Sequence, residues 1–183
     1  MSKGDIVPLK ESNDWSTLVQ MADELRKCDD LGLINASITL CFVYIDTLSS
    51  LSRPLNVARG SRKYFCDWVD RYLKAHEDQP YQYVGRHVYA ARCAFLHAHS
   101  SEALLHEENS DIPMFAYCDG GRHYFEPTVE NRMVIIGTRS FVNDVINAMS
   151  DFMDECGNDI NLKARVQSRL GGVLQKRPMP IYS

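Results

Sequence analysis

The segment that most constrains the fold is the apolar stretch from residue 33 to residue 51. Its hydrophobic residues recur at the spacing of an α-helix, and one face carries Ile34, Ile38, Cys41, Ile45 and Leu48. Neighbouring apolar residues widen that face, so this helix is predicted to lie at the centre of a helical core. Its longest purely apolar run, from Leu40 to Ile45, is far too short to cross a bilayer.

Helical periodicity continues along much of the chain. It predicts further helices over residues 14–28, 59–76, 81–99, 141–153 and 162–170. Between the predicted helices over residues 81–99 and 141–153, Met114–Cys118 and Arg122–Phe125 flank two glycines, which predicts a β-hairpin. Met133–Ile136 is predicted to form a third short strand.

The predicted architecture is one mainly α domain over residues 1–183. Core helices are expected over about residues 14–107, with the hairpin and the C-terminal helices over about residues 112–172. The fold class is therefore a helical bundle with a small β-hairpin or edge sheet in the C-terminal half.

Cysteine usage and the start of the chain indicate a reducing compartment. Six cysteines stand singly and no Cys-x-x-Cys pair occurs, which is typical of free thiols and not of a disulfide framework. The first residues, Met1-Ser2-Lys3-Gly4-Asp5, carry no apolar signal region. A cytoplasmic protein without membrane contact is therefore expected.

The charge of the chain is unevenly distributed. The net charge of −4 argues against a strong global attraction to nucleic acid. Residues 53–92 nevertheless carry +4, whereas the segments on either side carry −4 each. This pattern is either the ordinary fluctuation of charged surface helices or a local patch that faces phosphate.

Arg92 and His97 are the residues most suited to chemistry. Histidine takes and gives protons near neutral pH, and arginine stabilises a negatively charged phosphorus centre. Five helical positions rotate by about 140°, so the two side chains do not share a face of an ideal helix. They are expected to converge only if the helix ends or distorts near His97, or if a second copy contributes. The spacing by itself also occurs by chance in many proteins.

The surrounding motifs resemble the HEPN superfamily of nucleotide-binding helical proteins. Its signature, Arg-x(4–6)-His near a helix end, is matched by Tyr89-Ala-Ala-Arg92-Cys93-Ala-Phe-Leu-His97. Ile45-Asp46-Thr47-Leu48 and Phe65-Cys66-Asp67-Trp68-Val69 match a family of uncharacterised bacterial HEPN-like proteins. The resemblance covers about residues 33–105 and implies an antiparallel HEPN-like bundle.

The resemblance also implies a function. It implies a homodimer whose two Arg92–His97 pairs face one cleft, in catalytic members a metal-independent ribonuclease site that needs no cofactor. Toxins and defence proteins, some with a cognate antitoxin protein, are common in the superfamily. Other members have lost catalysis and bind nucleotide, RNA or a protein partner. The departure of this chain is Cys93, where many ribonuclease members carry a polar residue after the arginine, and it bears on activity more than on fold.

Four further residues are supporting candidates. Asp46 lies in a narrow polar stripe of the central helix, which either faces solvent or supplies a carboxylate that orients Arg92 or His97. Arg86 shares a helix face with His97 and is either a second phosphate contact or a solvated arginine. Cys93 is either a reactive thiol or a packed side chain, and Tyr89 belongs to the matched motif.

A metal site is not expected, because His97, His99, Glu102 and His106 fit no strong metal-ligand spacing.

Two alternatives remain beside the ribonuclease. A non-catalytic dimer that binds through the same cleft is one alternative. An interaction module that works through the hairpin and the C-terminal helix is the other.

Overall fold

The structure is a computed structural model that describes residues 15–98, 102, 104–125 and 132–173. In these ranges the chain is mainly helical, with a small three-stranded sheet in the C-terminal half, as predicted. The helices are α1 (Ser16–Asp30), α2 (Ile34–Ser52), α3 (Arg62–Tyr72), α4 (Gly85–Ala98), α5 (Leu104–Glu108), α6 (Thr138–Asn158) and α7 (Ile160–Leu170). The strands are β1 (Met114–Cys118), β2 (Tyr124–Phe125) and β3 (Met133–Gly137).

Helix α2 lies at the centre of the helical core, as its apolar sequence predicts. It contacts α1, α3, α4, α6 and α7. The Phe42 ring of α2 lies 6.0 Å from Phe95 of α4 and 5.6 Å from Phe141 of α6, measured between centroids. Large buried aromatic rings contribute much of the energy of a protein core, so these contacts join three helices at one point.

By length and composition α2 is also the one helix in the described part of the chain that is apolar enough to cross a membrane. Half of that helix window is buried inside the fold. The core helix of a soluble protein has the same length and composition.

The strand order differs from the predicted hairpin. The sheet runs β1-β3-β2, with β3 parallel to β1 and antiparallel to β2, so a hairpin between β1 and β2 is wrong. The uninterrupted apolar run of β3 is typical of a strand with partners on both edges, and its Val134 and Ile136 are fully buried. The glycine-rich connection binds Gln79 instead, whose side chain donates to the Gly121 carbonyl and accepts from the His123 N–H.

Helix α4 begins at Gly85, later than the predicted start at Tyr81. The Asp70 carboxylate of α3 accepts the Gly85 N–H at 2.6 Å and satisfies one of the free donors of the helix start. A Cβ on Gly85 would lie 2.5 Å from the Cys66 carbonyl oxygen, so the two helices meet where a side chain is missing. Tyr81 is buried in the non-helical segment before α4.

A buried polar network joins the sheet to α6. The Gly137 N–H donates to His123 Nδ1 at 3.1 Å, so the imidazole proton lies on Nε2, 2.8 Å from the Tyr83 hydroxyl. That hydroxyl donates to Asp144 Oδ2 at 2.9 Å. Burial lowers the pKa of His123 to about 4 and raises the pKa of Asp144 to about 6. The network therefore holds a neutral histidine at neutral pH.

Candidate functional site

Arg92 is anchored by Asp46 from the neighbouring helix. Asp46 projects from α2 toward α4, and its Oδ2 accepts a hydrogen bond from Arg92 Nε at 2.8 Å and forms an ion pair with Arg92 Nη2 at 2.6 Å. The pair is partly open to solvent, with side-chain exposures of 22% for Arg92 and 34% for Asp46. The structure thus places the Asp46 carboxylate against Arg92. This is the arrangement expected if the polar stripe of the central helix supplies a carboxylate that orients the arginine.

His97 lies on the other side of the same guanidinium. Arg92 Nη1 is 3.3 Å from His97 Nε2, and His97 is exposed in the last turn of α4. Because arginine can only donate, Nε2 accepts this bond, and the neutral imidazole carries its proton on Nδ1. Both residues lie within α4, so the helix does not have to end before His97 for the two side chains to converge within one chain, and the long Arg92 side chain spans the rotation between them.

The charges of this group reinforce one another. Burial raises the pKa of Asp46, and the hydrogen bond and charge of Arg92 partly offset that rise. Burial is the largest single effect on Arg92 and lowers the pKa of its guanidinium, but the hydrogen bond and charge of Asp46, together with Cys93, outweigh burial and raise that pKa overall. The ion pair between the two groups favours the charged form of each. We name Asp46, Arg92 and His97 the Asp–Arg–His cluster.

Arg86 does not join the cluster. It lies in the first turn of α4, eleven residues before His97, which is about 16 Å along the helix axis. Its Nη2 binds Asp111 Oδ2 at 2.7 Å. Within one chain the shared helix face is therefore too long for Arg86 and His97 to meet at one phosphate.

A groove of about 560 Å³ opens beside His97. Tyr89, Cys93 and His97 of α4 line it, together with Arg62 at the start of α3. Cys93 is half-buried and is a free thiol. The remaining lining residues are Ala94, Glu102, Leu104, Leu105 and Glu108. We name this cavity the His97 groove.

A second groove, of about 710 Å³, opens beside Asp46 between α2 and α7. Thr47 and Ser50 of α2 line it, together with Arg53, which directly follows α2, and Arg169 of α7. The two guanidinium groups donate to backbone carbonyls near the end of α2. The cluster therefore stands between two grooves, with Asp46 in one and His97 in the other.

Sequence reasoning missed several of the residues that line the two grooves, among them Arg62 in the His97 groove and Arg169 in the second groove. Arg169 is separated from Arg53 by more than a hundred residues, and α7 carries no motif. A basic residue in the last turn of an amphipathic helix is its one sequence signal. That signal is too common to mark a site.

No metal site emerges among the residues that the structure describes. Of the four side chains weighed as ligands, His99 lies outside the described residues. His106 is buried, and its Nε2 is 3.2 Å from the Pro113 carbonyl oxygen. Comparison of the chain with protein-family models, with curated proteins and with solved structures finds no match.

Proposed function

We propose that this protein is a metal-independent endoribonuclease of the HEPN type that acts as a homodimer. The observation that carries the proposal is the 3.3 Å contact between Arg92 Nη1 and His97 Nε2 at the solvent-exposed end of α4. This contact joins a permanent positive charge to a group that exchanges protons near neutral pH. His97 is exposed and Arg92 is only half-buried, which supports the ribonuclease or the binding protein over the interaction module, since that alternative would be favoured by an Arg92 or His97 sealed in the core.

The chemistry follows from the atoms that converge. The ribose 2′-hydroxyl oxygen attacks the adjacent phosphorus, and its proton passes to Nε2 of His97, which gives up its contact with Arg92 Nη1 as that group turns to the phosphate. The new O–P bond replaces the P–O5′ bond, the departing 5′-oxygen takes its proton from a water molecule, and His97 releases its added proton to the hydroxide that this leaves. Arg92 balances the extra negative charge that the phosphate oxygens carry in the transition state. The products are a 2′,3′-cyclic phosphate and a 5′-hydroxyl, and DNA is no substrate because it lacks the attacking group.

Asp46 acts as a positioning residue in this scheme. It holds two donor groups of Arg92 and thereby directs the third toward His97. A permanently paired guanidinium moves little during the reaction, and fixed charges stabilise a transition state without reorganisation.

The homodimer belongs to the same proposal. The cluster stands on an open face of α2 and α4, and Val43 of α2, beside the cluster, is 40% exposed. Leu40 and Leu96 are half-buried against the core on the same two helices. A second copy on this face would cover apolar surface and exclude water from the reacting phosphate. A role as a toxin or defence protein with a cognate antitoxin is part of the proposal.

A non-catalytic binding protein is the second candidate. This candidate is favoured because all three nitrogens of the Arg92 guanidinium already have a partner. Nε and Nη2 bind Asp46, and Nη1 faces His97. A phosphate that binds here must displace one of these contacts. In this alternative the same cleft holds a nucleotide, an RNA or a protein partner without cleaving it.

Cleavage of single-stranded RNA in the presence of a metal chelator tests the proposal. Wild-type protein is expected to leave 2′,3′-cyclic phosphate ends, and His97→Ala is expected to lose the activity. His76→Ala is the matched control, because His76 is exposed and lies outside both grooves. Full activity in His97→Ala would contradict the role of that histidine. No cleavage of varied RNAs by folded wild-type protein would favour the binding protein.

A further inference from the structure

We propose that the His97 groove is a subsite for one unpaired nucleobase, adjacent to the phosphate at the Asp–Arg–His cluster. This inference rests on the proposed function, since it names the substrate class as single-stranded RNA. The groove is continuous with the cluster because His97 belongs to both. A phosphate at His97 therefore places the base of the same nucleotide at the mouth of the groove.

The walls of the groove suit a flat apolar ring. Ala94, Leu104 and Leu105 supply aliphatic surface, and Tyr89 supplies an aromatic ring. The edge-to-face contact of Tyr89 with Phe65, at 5.3 Å between centroids, fixes that ring in place. The volume of about 560 Å³ lies within the range of small-molecule sites, about 300–1,000 Å³.

Arg62 adds a second stacking group. Its guanidinium carbon lies over the Tyr89 ring, 5.7 Å from the centroid. Both aromatic rings and guanidinium planes stack on nucleobases. Arg62 therefore covers part of one face of the Tyr89 ring, and an inserted base stacks on the surface that this pair leaves open toward the groove.

The acidic residues of the groove decide which part of a nucleotide enters it. Glu102 and Glu108 line the same cavity, and two carboxylates repel a phosphate group. Carboxylates accept hydrogen bonds from the exocyclic amino groups of bases such as cytosine. The base therefore enters the groove, and the phosphate stays at Arg92 and His97 outside it.

A base that is paired in a duplex cannot use this subsite. In an A-form helix the bases are stacked and their faces are covered, so stacking on protein rings requires an unpaired nucleotide. The subsite thus selects single-stranded segments, loops and ends, and it does so before any chemistry takes place.

The test measures binding of a strand that cannot be cleaved. The probe is a short, fluorescently labelled oligodeoxynucleotide of mixed sequence, which lacks the 2′-hydroxyl, and fluorescence anisotropy gives the dissociation constant at one fixed salt concentration. Tyr89→Leu is expected to weaken binding about tenfold, as expected for loss of one stacked base. Tyr89→Phe keeps the ring and is expected to bind within about twofold of wild type.

A matched pair of charge variants separates stacking from general attraction. Arg62→Gln is expected to weaken binding about fivefold. Lys63→Gln removes the same charge from the next residue, which is exposed, binds Asp67 and does not line the groove. It is expected to bind like wild type. The same probe annealed to its complement is expected to bind at least about tenfold more weakly.

The outcomes distinguish the subsite from the proposed function. Equal affinity of wild type and Tyr89→Leu, or equal loss in Arg62→Gln and Lys63→Gln, overturns the subsite even if the wild-type protein cleaves RNA. Absence of binding by the folded wild-type protein, or equal affinity for the duplex, also overturns it. The expected binding pattern without RNA cleavage supports the subsite and overturns only the ribonuclease.

Discussion

A single oxygen of Asp46, Oδ2, binds both Nε and Nη2 of Arg92, at 2.8 and 2.6 Å. The two residues belong to different helices, α2 and α4, and are separated by 45 intervening positions. This contact leaves Nη1 of Arg92 as the group that faces His97. The geometry of the candidate site therefore depends on a partner outside the helix that carries the motif.

The coupling between Asp46 and Arg92 is measurable by a double-mutant cycle of Asp46→Asn and Arg92→Met. Because the pair is partly exposed, we expect a coupling of about 1 kcal/mol in the free energy of unfolding, measured by urea denaturation. The Lys63–Asp67 pair on the surface of α3 is the control and is expected to show no measurable coupling. Additive effects of the two cluster substitutions would show that the contact does not form in solution.

Two glycine substitutions are expected to have opposite effects on the free energy of unfolding, because only Gly85 lies where α3 and α4 approach closely. Gly85→Ala places a Cβ within 2.5 Å of the Cys66 carbonyl oxygen, so we expect a loss of about 1–3 kcal/mol. Gly157→Ala in α6 meets no atom within 4 Å and is expected to stabilise the protein by about 0.5–1 kcal/mol. Thermal or urea unfolding measures both. A neutral Gly85→Ala would mean that the two helices are farther apart than described.

Arg169 is expected to hold the end of α2. Its guanidinium donates to the carbonyl oxygens of Leu51 at 3.3 Å and of Arg53 and Pro54 at 2.8 Å each. Arg169→Lys keeps the charge but loses the planar fork, so we expect a loss of about 1–3 kcal/mol in the free energy of unfolding.

Lys163→Gln on the exposed side of α7 is the control for Arg169→Lys and is expected to leave the stability unchanged. Equal stability of Arg169→Lys and wild type would show that the charge alone is sufficient at this position.

The buried network of His123, Tyr83 and Asp144 predicts a pH dependence of stability. Between the ordinary histidine pKa of about 6.5 and the folded pKa of about 4, the unfolded chain binds a proton that folded His123 does not. Stability therefore falls as the pH falls through this window. Asp144 opposes the trend, because its folded pKa of about 6 lets the folded state bind a proton first.

Asp144→Asn is expected to remove that opposition. The melting temperature of the variant should fall more steeply than that of wild type between pH 6.5 and pH 4, the window set by His123. Asp151→Asn, on the exposed side of α6, is the control and should keep the wild-type slope. A shallower slope in Asp144→Asn would contradict the assigned sign.

Local sequence patterns account for six of the seven described helices, all except α5, and for the identity of the central one. Apolar spacing in α2 and α6 is a property of neighbouring residues, and it does not depend on how distant parts of the chain pack. The strand order was not predictable in the same way, because pairing of β1 with β3 joins residues almost twenty positions apart. The adjacent glycines at 120 and 121 indicated a turn, but the buried centre of the sheet was decided by the more apolar β3.

The candidate site likewise combines features set by local sequence with contacts set by the tertiary structure. The sequence alone determined that an arginine and a histidine lie five residues apart near a helix end, and which chemistry that pair suits. Only the tertiary structure decided that Asp46 directs Arg92, that Asp70 starts α4 at Gly85 and that Arg86 binds Asp111 instead of a phosphate. Each of these contacts joins residues brought together by helix packing, and side-chain direction across a packed interface has no signature in local spacing.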